Sequence, residues 1–140
     1  MDQIAVAAAL VAVAVVVAVV INRRRPAPVP AGLDEPPTHI DRGEFDGPDS
    51  AYLFVLFSST NCNACSAARA QLAELSADDL VIQEITWQDD PEVHRRYRIP
   101  AVPTTVLVTA SGATFHAVIG RPGAGELAGE LERARRESDD

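Results

Sequence analysis

Residues Ile4 to Ile21 are an unbroken run of eighteen Ala, Val, Leu and Ile side chains. Coiled as a helix at 1.5 Å per residue, the run covers roughly 27 Å, enough for the hydrocarbon core of a bilayer with little tilt. We read residues 1–22 as an uncleaved transmembrane anchor. A cleaved signal peptide is the competing reading, but it wants a basic start, a shorter apolar core and a small-residue cleavage site. Here the start is Met1-Asp2-Gln3, the bases follow the run as Arg23, Arg24 and Arg25, and Val29-Pro30-Ala31 is a weak cleavage site. The positive-inside rule assigns those arginines to the cytoplasm. The expectation is therefore a single-pass protein of the cell membrane with its domain on the cytoplasmic side, the extracytoplasmic side being the alternative.

The anchor changes the meaning of the composition. The chain has 140 residues and is 47% hydrophobic. Once residues 1–21 are set aside, the apolar share falls somewhat below that of an ordinary globular domain. What remains can build one modest core and not two. Of 12 basic residues every one is Arg, against 20 acidic residues, for a net charge of −8. An acidic domain lacks the basic face that phosphate neutralisation needs, so a nucleic-acid partner is excluded.

Residues 23–37 read as an Arg- and Pro-rich linker. Pro26, Pro28, Pro30, Pro36 and Pro37 exclude helix there and favour an extended, semi-rigid stalk. The domain is expected over residues 38–136, with 137–140 as a disordered tail. Thr38–Asp41 is a short candidate first strand. Ala51–Phe57 is a continuous apolar run, as a strand buried on both faces should be. Ser58-Ser-Thr-Asn61 supplies N-cap residues for a helix expected over Cys62–Ser76, with Arg69 and Glu74 turned to water. Leu80–Ile85 is a second strand. Asp89-Asp-Pro91 opens a short helix to about Tyr97, since proline is tolerated in a first turn. Thr104–Thr109 and Ala113–Ile119 form a hairpin around Ser111-Gly112. Ala124–Arg136 is a terminal helix with Leu127 and Leu131 on one face.

The two cysteines, Cys62 and Cys65, fall where a strand ends and a helix begins. A helix start offers unpaired N–H groups and the positive end of a dipole, both of which favour a thiolate. A second thiol three residues on is close enough to resolve a mixed disulfide within the chain. Two cysteines are too few for a disulfide framework or, alone, for a structural zinc site. His39, His94 and His116 could complete a zinc site only on paper, and all three read as surface residues. Trp87 reads as a packing or rim residue. Arg95, Arg96 and Arg98 read as a solvated face, with anionic headgroups as the sharper alternative.

Ile99-Pro-Ala-Val-Pro103-Thr104 precedes the third strand. Phe54–Phe57, Cys62-Asn-Ala-Cys65, the helix after them and Val102-Pro103-Thr104 ahead of a hairpin together resemble the thioredoxin family over roughly residues 38–136. The resemblance implies an α/β, thioredoxin-like fold, a central mixed β-sheet flanked by helices, here preceded by one transmembrane helix. It further implies a cis Pro103 packed against the cysteines, with Val102, Pro103 and Thr104 forming a substrate groove. The chain departs from the family pattern at four places. Asn61 stands where Trp is usual, Asn63-Ala64 where Gly-Pro is common, Leu56 where a buried Asp is expected, and Glu84 where a Lys faces that Asp. Glu84 is therefore a candidate proton relay for Cys65, buried with a raised pKa, against the alternative that it points to solvent.

The expected function is thiol–disulfide exchange, with Cys62 attacking and Cys65 resolving, and with no metal or organic cofactor. The expected partners are protein disulfide substrates, a redox partner that donates or accepts electrons, and the membrane. The competing classes are a copper or zinc delivery module using the same cysteines, and a redox-inert adaptor.

Overall fold

The computed structural model describes residues 2–24 and 35–140, the side chains of 19–24 excepted. Asp2–Arg24 is one helix, α1, and its described side chains are all exposed. No helix among the described residues is long and apolar enough to cross a membrane. The side chains that would complete the eighteen-residue run lie outside the described ones, as do residues 25–34 of the expected linker.

The rest of the chain runs β1 (Tyr52–Ser58), α2 (Cys65–Ala73), β2 (Leu80–Thr86), α3 (Pro91–Arg96), β3 (Thr104–Thr109), β4 (Thr114–Ile119) and α4 (Glu126–Ser138). The strands form one sheet in the order β2-β1-β3-β4. β1 pairs parallel with β2 and antiparallel with β3, and β3 pairs antiparallel with β4. This mixed sheet with helices on both faces is a thioredoxin-like α/β arrangement.

Every residue of β1 is buried, because both faces of the central strand are covered. Side chains alternate across a strand. Tyr52, Phe54 and Leu56 therefore meet Ala68 and Leu72 of α2 and Leu127 and Leu131 of α4. Leu53, Val55 and Phe57 meet Ile40, Phe45, Val93 and Tyr97 on the other side.

The expected first strand at Thr38–Asp41 is not a strand. It makes one isolated bridge, His39 to Ala113, at the β3–β4 turn. The chain then turns away, because the Asp41 carboxylate accepts the Gly43 N–H at 2.9 Å and starts a 3-10 turn over Arg42–Glu44. Arg42 is buried and donates to the carbonyls of Thr109, Gly47 and Ser50, each at 2.9 Å, which fastens this loop to the end of β3.

The boundaries of two helices also differ from expectation. α2 begins at Cys65 and not at Cys62, its N-cap is Ala64 with no capping side chain, and it ends at Ala73. α4 continues through Ser138, so residues 137 and 138 belong to the helix and not to a frayed tail. There the Tyr52 hydroxyl lies 2.8 Å from Ser138 Oγ, and the Arg135 guanidinium donates to both carboxylate oxygens of Asp79. α3 follows expectation, with Pro91 in the first turn and the Asp90 side chain accepting the Val93 N–H.

Candidate functional site

The β1 strand delivers its last residue, Ser58, to the carboxyl edge of the sheet, and the next three residues lead to Cys62. Cys62 and Cys65 are joined in a disulfide with Cα atoms 5.4 Å apart. The two sulfurs are not equivalent. Cys65 is fully buried in the first turn of α2, whereas Cys62 is partly exposed on the loop before it. The Cys65 backbone N–H donates to Cys62 Sγ at 3.2 Å. An unpaired donor at the helix start therefore already points at the outer sulfur.

β3 runs antiparallel to β1, with Phe57 opposite Thr104, so the residues just before β3 share the edge that carries the disulfide. The Val102–Pro103 peptide bond is cis. Pro103 is buried and its carbonyl accepts the Gly120 N–H at 2.7 Å. Thr104 is buried and its hydroxyl donates to the Ala101 carbonyl at 2.7 Å. Val102 is 36% exposed, and among the described residues no backbone group engages its N–H or C=O. Trp87 follows β2 and is 40% exposed, and Ile119 ends β4 beside Thr104 and is 42% exposed. Outside α1 only Ile82 joins these three among the exposed large apolar side chains of the described residues. The apolar exposure of the domain is thus gathered largely on the disulfide's edge.

Trp87 is held rigidly. Its backbone N–H donates to the Ser58 carbonyl at 2.8 Å, His94 meets its ring edge-on at 5.5 Å, and the Arg95 guanidinium lies over the ring at 5.2 Å. His94 is not a surface residue as the sequence suggested. It is buried between Trp87 and Phe57, with Nε2 2.8 Å from the Ile85 carbonyl. Arg96 pairs with Glu44 and Arg95 with Glu92, so two of the three clustered arginines are engaged by carboxylates.

Glu84 differs from the expected relay. Its side chain is 34% exposed and pairs with Arg69, which donates from Nε at 2.9 Å and lies at 2.8 Å from Nη2. The Ser58 hydroxyl also donates to it at 2.5 Å. The Arg69 hydrogen bond, against the opposing effect of burial, and the Ser58 hydroxyl hold the carboxyl below its ordinary range. A relay needs a raised value, so this carboxylate stays ionised near neutral pH. Arg69, expected to face water, is its main partner.

Sequence reasoning missed Ser59 and Gln88. Gln88 Oε1 accepts the Thr60 N–H at 3.1 Å, and Gln88 Nε2 donates to Ser59 Oγ at 3.1 Å. Nothing local in the sequence marks a glutamine in a turn as a bridge between two loops. Among the described residues no group of three or more His, Cys, Asp or Glu side chains is placed to hold a metal ion.

No family model matches the chain, and no curated protein matches it. Solved structures do. One, described as the structure of a malarial protein, superposes with a TM-score of 0.55 at 11% identity over 60% of this chain and 97% of its own. Another, oxidised mitochondrial thioredoxin 3 from Saccharomyces cerevisiae, gives a TM-score of 0.52 at 21% identity over 61% of this chain and 81% of its own. At such identities the likeness establishes the thioredoxin-like fold. The Cys62–Cys65 disulfide sits on that fold.

Proposed function

We propose that the protein is a membrane-tethered thiol–disulfide oxidoreductase that reduces protein disulfides. The observation that carries this reading is the asymmetry of the pair, one sulfur open and supplied with an N–H donor, the other buried. An N–H donor and a helix start both favour a thiolate on the outer cysteine. In the dithiol form the Cys62 thiolate attacks one sulfur of a substrate disulfide, and the other substrate sulfur leaves as a thiolate and takes up a proton. Cys65 then loses its proton and attacks Cys62 Sγ, releasing the second substrate thiol and closing the Cys62–Cys65 bond. Two electrons pass to the substrate, and a dithiol partner must return them. The cis Pro103, the exposed Val102 backbone and the Thr104 strand start are the proposed groove for a substrate backbone.

The tether is α1, supported by its eighteen-residue apolar run and by the full exposure of its described side chains. Arg23, Arg24 and Arg25 favour a cytoplasmic domain. The reaction is tested with Cys65→Ser. Wild type reduces a model protein disulfide such as insulin. The variant loses turnover and accumulates a mixed disulfide through Cys62. Full turnover by a Cys62→Ser, Cys65→Ser protein, or no exchange by wild type, overturns the reading.

A further inference from the structure

Cys62 is not part of a helix. α2 begins three residues later, so its hydrogen-bond ladder does not fix the outer sulfur. In the oxidised protein the disulfide holds it. In the dithiol form that bond is gone, and Sγ is kept in line with the Cys65 N–H by the loop from Ser59 to Cys62 on one side and, on the other, by the Asn63 carbonyl, which accepts the Ser66 N–H at 3.4 Å and the Ser66 hydroxyl at 2.8 Å.

That loop is fastened to the β2–α3 corner by one side chain. Gln88 accepts the Thr60 N–H and donates to Ser59 Oγ, both at 3.1 Å. Ser59 Oγ also accepts the Asn61 N–H at 3.4 Å, and the Ser59 carbonyl accepts the Cys62 N–H at 3.2 Å. Every residue from Ser59 to Cys62 is thus bonded to Gln88 or to Ser59, which Gln88 holds. The corner itself is stiff. The Trp87 N–H adds a rung from β2 to Ser58, and the Asp89 and Asp90 N–H groups both close on the Thr86 carbonyl at 3.0 Å.

We infer that Gln88 is a positioning residue for Cys62: it holds the reduced loop so that the Cys65 N–H keeps pointing at the attacking sulfur. This rests on the exchange reading above, with Cys62 as the nucleophile. Gln88 touches neither sulfur and acts through Ser59 and Thr60.

The test uses the full-length reduced protein with Cys65→Ser as common background, so that Cys62 is its sole thiol, and reads the pH profile of Cys62 alkylation by iodoacetamide. Gln88→Leu keeps the side-chain bulk and removes both bonds. An exposed hydrogen-bonded bridge is worth a modest amount, so the midpoint of the profile should rise by about half a pH unit and alkylation near neutral pH should slow about threefold. Ser59→Ala removes one anchor and should give a smaller shift in the same direction. The double variant should be no worse than Gln88→Leu alone, because both act through one bridge. The emission of Trp87, the chain's sole tryptophan, reports whether the corner is intact. If Gln88→Leu disturbs it, Ser59→Ala still decides. A wild-type profile in both single variants overturns the inference, as do strictly additive shifts. If wild-type Cys62 itself titrates as an ordinary thiol near ~8.5 and exchanges nothing, the oxidoreductase reading fails instead.

Discussion

Tyr97 shows how one side chain here carries a pH dependence. Its hydroxyl donates to the Glu44 carboxylate and accepts the Asp41 N–H at 3.1 Å. Burial first, and the Glu44 hydrogen bond second, push the phenol up to about 12. An unfolded tyrosine titrates near ~10, so folding favours the protonated form. The stabilisation is complete below about pH 10 and is lost as pH rises toward the folded value. We expect absorbance at 295 nm to show a late phenolate component, absent in Tyr97→Phe, with unfolding easing over the same range. A wild-type titration lacking that component would contradict the assignment. None of this was legible in the sequence, since the partners of Tyr97 lie more than fifty residues away. The same holds for Glu84. Its place opposite Leu56 on a neighbouring strand could be read from strand patterns, but Arg69, which sets its charge state, comes from a helix face that looked solvated.

At the scale of elements, strands were the legible part. β1, β2 and β3 announce themselves as runs of β-branched and aromatic residues, and a run with no polar alternation already implied two covered faces. The start of α2 was not legible. Ser59, Thr60 and Asn61 are all good helix caps, yet here they form a turn that places Cys62 outside the helix. Capping side chains can bond locally in more than one way, and in the scheme that forms here Ser59 and Thr60 are both bonded to Gln88, from another loop. The stretch Thr38–Asp41 is illegible for a related reason. Its single bridge depends on the β3–β4 turn, where Gly112 has φ +89° and an added Cβ would lie 2.3 Å from the Ile40 carbonyl oxygen. Gly112→Ala therefore combines backbone strain with a backbone clash, costing at least about 2 kcal/mol. For a domain of this size that lowers Tm by roughly 10 °C. A calorimetric Tm within a degree or two of wild type would show that the segment and turn separate freely.

At the scale of the molecule, the sequence divides into an apolar segment and an acidic domain. The fold of the domain followed from its strand and helix patterns, whereas the boundary of its last helix did not. Ser138 is held by Tyr52, a contact between opposite ends of the domain that no local pattern encodes. Topology is the property that matters most for chemistry, because it selects the thiol pool the cysteines meet. A reporter fused after Asp140 is expected to be active only when it requires the cytoplasm. A fusion active outside and dead inside would reverse the orientation and make an oxidising role the simpler one.

The chain enters the domain at the β3–β4 turn, where His39 bridges Ala113, and this is the end of the sheet at which β1 begins. The sulfurs lie beyond the other end. Seven strand residues at 3.3 Å each put roughly 23 Å between the two poles. The described chain therefore joins the domain at the pole opposite the exposed sulfur. Under the proposed exchange, a substrate disulfide meets the pole of the domain away from the point where the chain enters.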